Sequence, residues 1–242
     1  MRLLRRRRSK LVAERPLDWA LRSPVGILAT SAATSRLGSY DVTGAELTDV
    51  LKVSLASWVI QDGNYGDFKR GARAAFALTF SAATPLIEVN PRDEPLRSLV
   101  HVGDAHYKAV GEVVHVSDEW WVIDVGVMLF REEKPPEFVR RGGWVSGSID
   151  VEIDYYIYFE FLSAEPAAPA LIYDWMIESI EMQTAPFVES RPGFWVRDPM
   201  RLGWKEVRRT EAWKDDGGHA WYILHCRRVD RPPRRTLRRG WW

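Results

Sequence analysis

The chain has 242 residues, 46% of them hydrophobic and 28% charged, the composition of a soluble globular protein large enough for one large domain or two small ones. Its formal net charge of +1 hides a strong segregation: the first ten residues carry +6, the last sixteen carry another +6, and residues 11–226 are left with −11. A single cysteine, Cys226, excludes an intrachain disulfide framework and suits a reducing compartment, so the expected location is cytoplasmic.

In chain order, residues 1–10 form a basic arm built on Arg5, Arg6, Arg7 and Arg8. Leu11-Val12-Ala13 runs straight into Glu14-Arg15-Pro16, so the apolar core of a signal peptide is missing. The mild run over 25–33 falls far short of the roughly 20 apolar residues of a spanning helix. Residues 47–60 alternate, with Leu51, Val53 and Leu55 against Lys52 and Ser54, and enter a turn-rich stretch over 61–67. Residues 73–80 follow as the expected partner of a hairpin. This N-terminal β module occupies 11–95, and the prolines Pro85, Pro91 and Pro95 mark its boundary.

Residues 96–165 hold the clearest pattern. A strand is expected over 107–116, with Val110, Val114 and Val116 on one face and Gly111 inside it, where a glycine marks a bulge or sharp coil. A second runs over 120–130, with Trp121, Ile123, Val125, Val127 and Leu129 alternating. A third, 144–151, puts Val145, Gly147, Ile149 and Val151 inward. A fourth, 155–161, alternates Tyr155, Ile157, Phe159 and Phe161. Four strands in about sixty residues suit a small closed barrel. The segments Tyr107-x-x-Val110-Gly111-x-Val113, Trp121-Val122-Ile123-Asp124 and Trp144-Val145-Ser146-Gly147 resemble the oligonucleotide/oligosaccharide-binding (OB) fold. That resemblance covers about a quarter of the chain and implies a fifth strand, expected from 171–182 beyond the Pro166–Pro169 linker.

Residues 166–229 supply C-terminal strands packed on the barrel. A hairpin is expected there between 205–213 and 220–229, around Asp215-Asp216-Gly217-Gly218. Its second arm places Ala220, Tyr222, Leu224 and Cys226 on one side. Residues 230–242 form a basic tail with Arg234, Arg235, Arg238 and Arg239, ending in Trp241 and Trp242. The fold class read from the sequence is therefore mostly β: an OB-like small barrel with an additional N-terminal β module and a C-terminal β-hairpin.

The functional signals are sparse. The two arginine-rich ends are candidate polyanion-binding segments, since such residues neutralise phosphates and release counterions; the alternative is that they keep an acidic body soluble. Residues 105–163 carry eleven acidic and five basic side chains, the wrong sign for a phosphate-tracking groove. Any nucleic acid or anionic lipid is thus expected only at the tails. Trp120, Tyr156 and Tyr158 are candidate ligand-binding aromatics, able to stack on a base, a sugar or a partner's apolar patch. Core and sheet-face packing is the simpler reading of the same three.

Asp150, Glu152 and Asp154 share one face of an extended chain, an oxygen-rich row that a hard cation or a hydrolase could use. The row lacks EF-hand spacing, and Asp62-x-Asn64-x-x-Asp67 reads as a turn. The five histidines and Cys226 show no zinc-ligand spacing, and the motifs of nucleophile elbows, phosphate loops and dinucleotide sites are missing. No metal and no cofactor are expected. The reading is a non-enzymatic binding or protein-interaction module of unknown ligand. One alternative is a nucleic-acid-binding protein using its Arg-rich tails; the other is a hydrolase in which two of Asp124, Asp150, Glu152 and Asp154 converge in a carboxylate-lined cleft.

Overall fold

The computed structural model describes residues 50–93 and 95–237. Fourteen strands and two short helices lie in this span: β1 (Val50–Ala56), α1 (Ser57–Gln61), β2 (Arg73–Phe76), β3 (Leu78–Ser81), β4 (Ile87–Val89), β5 (Ser98–Gly103), β6 (His106–Val116), β7 (Trp121–Asp124), β8 (Met128–Arg131), β9 (Trp144–Ile153), α2 (Ile157–Glu160), β10 (Tyr173–Gln183), β11 (Phe187–Arg191), β12 (Phe194–Arg197), β13 (Trp204–Val207) and β14 (Trp221–Arg228). The protein is mostly β. No helix among the described residues is long and apolar enough to cross a membrane.

Five strands close into a barrel in the order β6–β7–β8–β3–β9 and back to β6. All neighbours are antiparallel except β3 and β8, which meet in parallel at Thr79 and Phe130. Its interior is filled by Phe80, Tyr107, Ala109, Val113, Trp121, Ile123, Leu129, Val145, Ile149 and Val151, all buried. The inward set of β6 therefore runs through Tyr107, Ala109 and Val113 rather than Val110 and Val114. A register shift between Val113 and His115 then returns Val116 to the core side.

An outer antiparallel sheet, β1–β14–β10, is flanked by β2 and β13, which pair with successive halves of the far edge of β10. Leu51, Val53, Leu55, Ile177, Ile180, Tyr222, Leu224 and Cys226 point to the same core, continuous with that of the barrel. β2 passes through Ala77 directly into β3, so one extended segment belongs to both structures. On the other side, β1 meets β9 in parallel at Ser54 and Glu152. Where β1 lacks a strand neighbour, the Tyr107 hydroxyl takes its place: it accepts from the Lys52 N–H at 2.7 Å and donates to the Lys52 carbonyl at 2.9 Å.

Several expected pairings are replaced by longer-range ones. The hairpin of 47–60 with 73–80 does not form. β1 finds seven antiparallel partners on β14, while the eleven-residue connection 62–72 lets β2 depart to β10. The single strand expected over 120–130 is a tight hairpin, because the Asp124 carboxylate accepts the Gly126 N–H at 2.9 Å and Gly126 takes φ +100°. The fifth barrel strand is β3, not 171–182; β10 instead lies in the outer sheet. The hairpin of 205–213 with 220–229 is also absent, since β13 and β14 sit on opposite edges of β10.

Residues 185–202 form a separate compact unit with the two-stranded hairpin β11–β12. Its turn uses Pro192-Gly193, with Gly193 at φ +73°, and the Arg197 guanidinium lies 4.3 Å from the Phe187 ring centre.

Two barrel glycines test the closure. A Cβ on Gly111 would stand 2.7 Å from Val125 Cγ1 and 3.1 Å from the Asp124 carbonyl oxygen, and one on Gly147 would stand 2.5 Å from Cδ2 of the buried Leu86. Gly111→Ala and Gly147→Ala are each expected to cost about 1–3 kcal/mol through overpacking. Urea denaturation of the two variants checks this, and a neutral Gly111→Ala would reject this β6–β7 approach.

Candidate functional site

Of the expected aromatic ligand residues, Trp120 lies under a covering layer to which Tyr158 belongs. Where β9 ends, the chain turns at Asp154 and runs over the outer face of β7 and β8 through α2 and two successive turns to Leu171 and Ile172. Ala75, Ala77, Trp120, Val122, Phe130, Ile157, Tyr158, Leu162, Leu171 and Ile172 pack there as a second apolar cluster. Trp120 and Tyr158 are both 0% exposed. The Trp120 indole N–H donates to Glu165 at 2.9 Å, and the Tyr158 hydroxyl donates to the Pro169 carbonyl and accepts the Leu171 N–H. Tyr156 is half-buried and packs against Tyr155 and Phe161.

Residues 155–161 are thus not a strand. Instead the Asp154 carboxylate, two residues ahead of the N-cap of α2, accepts the N–H groups of Tyr156 at 3.2 Å and Tyr158 at 3.1 Å. It is fully buried, and burial pushes its carboxyl up to about 7 against the lowering effect of these hydrogen bonds. Its backbone is equally engaged: the N–H donates to the Ala77 carbonyl, and the carbonyl accepts from the Tyr65 hydroxyl at 2.7 Å.

The carboxylate row divides. Asp150 pairs with His106 at 3.0 Å, and Glu152 accepts from Ser81 at 3.3 Å. Burial and the neighbouring Asp150 both raise the Glu152 carboxyl. Asp124 lies elsewhere, bridged to Arg97 at 3.1 Å and holding the Gly126 turn. His225 pairs with Glu181 at 3.0 Å, and His115 packs against Trp120 in a tilted arrangement with ring centres 4.2 Å apart, burial lowering its pKa. Among the described residues no three His, Cys, Asp or Glu side chains converge as a metal site. Cys226 is 0% exposed and its thiol is pushed up by burial, the opposite of an activated nucleophile.

Of the arginines in the two basic segments, Arg5, Arg6, Arg7, Arg8, Arg238 and Arg239 lie outside the described residues. Arg234 and Arg235 are committed to the body. Arg234 bonds the buried Asp174 at 2.8 Å and exchanges both backbone hydrogen bonds with Ile172, while Arg235 donates to the carbonyls of Ser163 and Glu165. Residues 229–237 therefore strap the covering layer down, with Leu237 packed against it.

A cleft of about 200 Å³ opens beside the strap. Tyr65, Phe68, Ala74, Ala75, Ile177 and Leu237 provide its apolar lining, and Asp67, Lys69 and Arg73 its polar rim. The connection 62–72 is held by specific bonds: Asp67 accepts from the Thr210 hydroxyl at 3.0 Å and from the Ala212 N–H at 3.1 Å, and Thr210 Oγ1 accepts the Phe68 N–H at 2.9 Å. Gly71, at φ +76°, donates to the Ile177 carbonyl and fixes the loop to β10. Lys69 and Arg73 have no ion pair among the described residues. Sequence reasoning missed this site. Its apolar wall comes from the connection 62–72, β2, β10 and Leu237, which only the fold brings together. Compared with known proteins, the chain matches no family model, no curated protein and no solved structure.

The Asp154 carboxyl gives a test with a definite sign. A group whose pKa is raised in the folded state contributes stability below its unfolded value, near 3.8, that is lost as pH rises through about 7. Relative to Asp154→Asn, the native chain is expected to lose stability from pH 4 to pH 7 and then level off. Urea melts at several pH values give this difference, and a flat one would mean that the carboxyl is not perturbed.

Proposed function

We propose that the chain is a non-enzymatic binding module in which an OB-like barrel serves as scaffold and the cleft at 65–75 is the binding site. The strand order β6–β7–β8–β3–β9, with its one parallel pair, supports the OB-like reading, the closing strand coming before the other four in the chain instead of after them. OB barrels bind oligonucleotides and oligosaccharides on the face of their second and third strands. The corresponding face here is that of β7 and β8, which Ile157, Tyr158, Leu162 and Leu171 cover. That single observation carries the conclusion: the face customary for ligands is part of the core, and the cleft offers an apolar lining with a charged rim. Such a combination suits a small molecule oriented by a few polar contacts.

Nucleic-acid binding through the tails is the second reading, favoured by the charge segregation alone. On this account, any affinity for single strands resides in the arms and falls steeply with salt. Fluorescence anisotropy with a labelled oligothymidylate separates the two. A full-length variant with Arg5, Arg6, Arg7, Arg8, Arg238 and Arg239 changed to Gln is expected to lose all binding that the native chain shows. Retained affinity in that variant would place nucleic acid on the body and overturn the scaffold reading. Shortening the chain to residue 226 is unsuitable for this purpose, since it removes the Arg234–Asp174 strap.

A further inference from the structure

We propose that the cleft at 65–75 is selective for a small amphipathic monocarboxylate, its chain or ring on the apolar lining and its head between Lys69 and Arg73; this rests on the cleft being the binding site. Size comes first. An apolar cavity of about 150 Å³ holds one benzene ring, so about 200 Å³ accepts a medium-chain or single-ring acid and excludes a polymer. Chemistry of the lining comes second. Phe68, Ala74, Ala75 and Ile177 line it without a side-chain hydrogen-bonding group among them.

The rim decides the charge. Lys69 and Arg73 are both exposed, both line the cleft, and neither has an ion pair among the described residues. Two neighbouring cations are already paired: Arg70 bonds Glu206, and Arg209 bonds Glu211. Against the two cations stands the Asp67 side chain, which accepts from Thr210 and Ala212. The rim therefore carries +1. A carboxylate matches that sum and can take both N–H groups of the Arg73 fork with the Lys69 ammonium beside them. A phosphate monoester, at −1.5 to −2 near neutral pH, would place its excess charge beside Asp67. A cation would meet two like charges.

The experiment uses the full chain and four probes of one tail length, namely octanoate, octyl phosphate, octanol and octylamine, with binding followed by methyl and amide NMR shifts of residues 65–75 and 177. Octanoate is expected to bind most tightly and octylamine most weakly. Lys69→Gln and Arg73→Gln are each expected to weaken octanoate roughly five- to tenfold while leaving octanol unchanged. Both positions are exposed, so the variants keep the native melting temperature. If octanol and octylamine bind as well as octanoate, or if the two variants leave octanoate unaffected, the carboxylate proposal is overturned while the cleft stands as a site. If none of the four shifts these signals at millimolar concentration, the cleft is not the binding site.

Discussion

The buried carboxylate of Asp154 is the interaction on which the rest of this architecture depends. A carboxyl group at zero exposure is costly unless its hydrogen-bonding capacity is met, and here the first turn of α2 meets it. The same residue joins three parts of the molecule. Its N–H is tied to Ala77, the point where β2 becomes β3. Its carbonyl is tied to Tyr65, which lines the cleft. Its side chain turns the chain out of β9 and over the barrel. The two backbone bonds hold residue 154 to the barrel seam and to the cleft wall, and the carboxylate adds the start of the cover.

Barrel and cover solve each other's packing problem. Strands β7 and β8 have apolar residues on both faces: Trp121, Ile123 and Leu129 fill the interior, whereas Trp120, Val122 and Phe130 face outward. An outward face of that kind must be buried by ligand, partner or chain, and residues 157–172 bury it. The strap of 229–237 then completes the layer, with Arg234 neutralising Asp174 and Arg235 satisfying two carbonyls at the turns. Two arginines from the basic C-terminal segment thus have structural work, and its charge is not all available to a polyanion.

What the sequence made legible follows the range of the forces involved. Period-two alternation located β1, β6, β9 and β14, and with them the mostly β class, the inward face of β9 and the core side of Cys226, because each strand's pattern is local; the inward face of β6 was read on the wrong side. Pairing was not legible. Leu78-Thr79-Phe80-Ser81 carries no mark that it completes a barrel whose other strands begin 25 residues later. The alternation over 155–161 looked extended because Ile157 and Phe159 pack inward from a short helix instead of a strand. Here a local signal existed in Asp154, an acceptor placed just ahead of the N–H groups it caps, and Asp124 ahead of Gly126 and Pro192-Gly193 were similar clues to two turns. The cleft had none, since Lys69 and Arg73 come to line one cleft only when 62–72 folds back onto β10.

The central claim is that the cover is an integral layer of the barrel and not a lid. Native-state hydrogen exchange on the full chain measures this most directly, because amides that open only with the whole fold share one opening free energy. The account predicts that the Tyr158 and Ile172 amides, bonded to Asp154 and to the Arg234 carbonyl, are as protected as those of the barrel strand β9. Exchange of the 157–172 amides several orders of magnitude faster than those of β9 would contradict it, exposing β7 and β8 as a binding face after all.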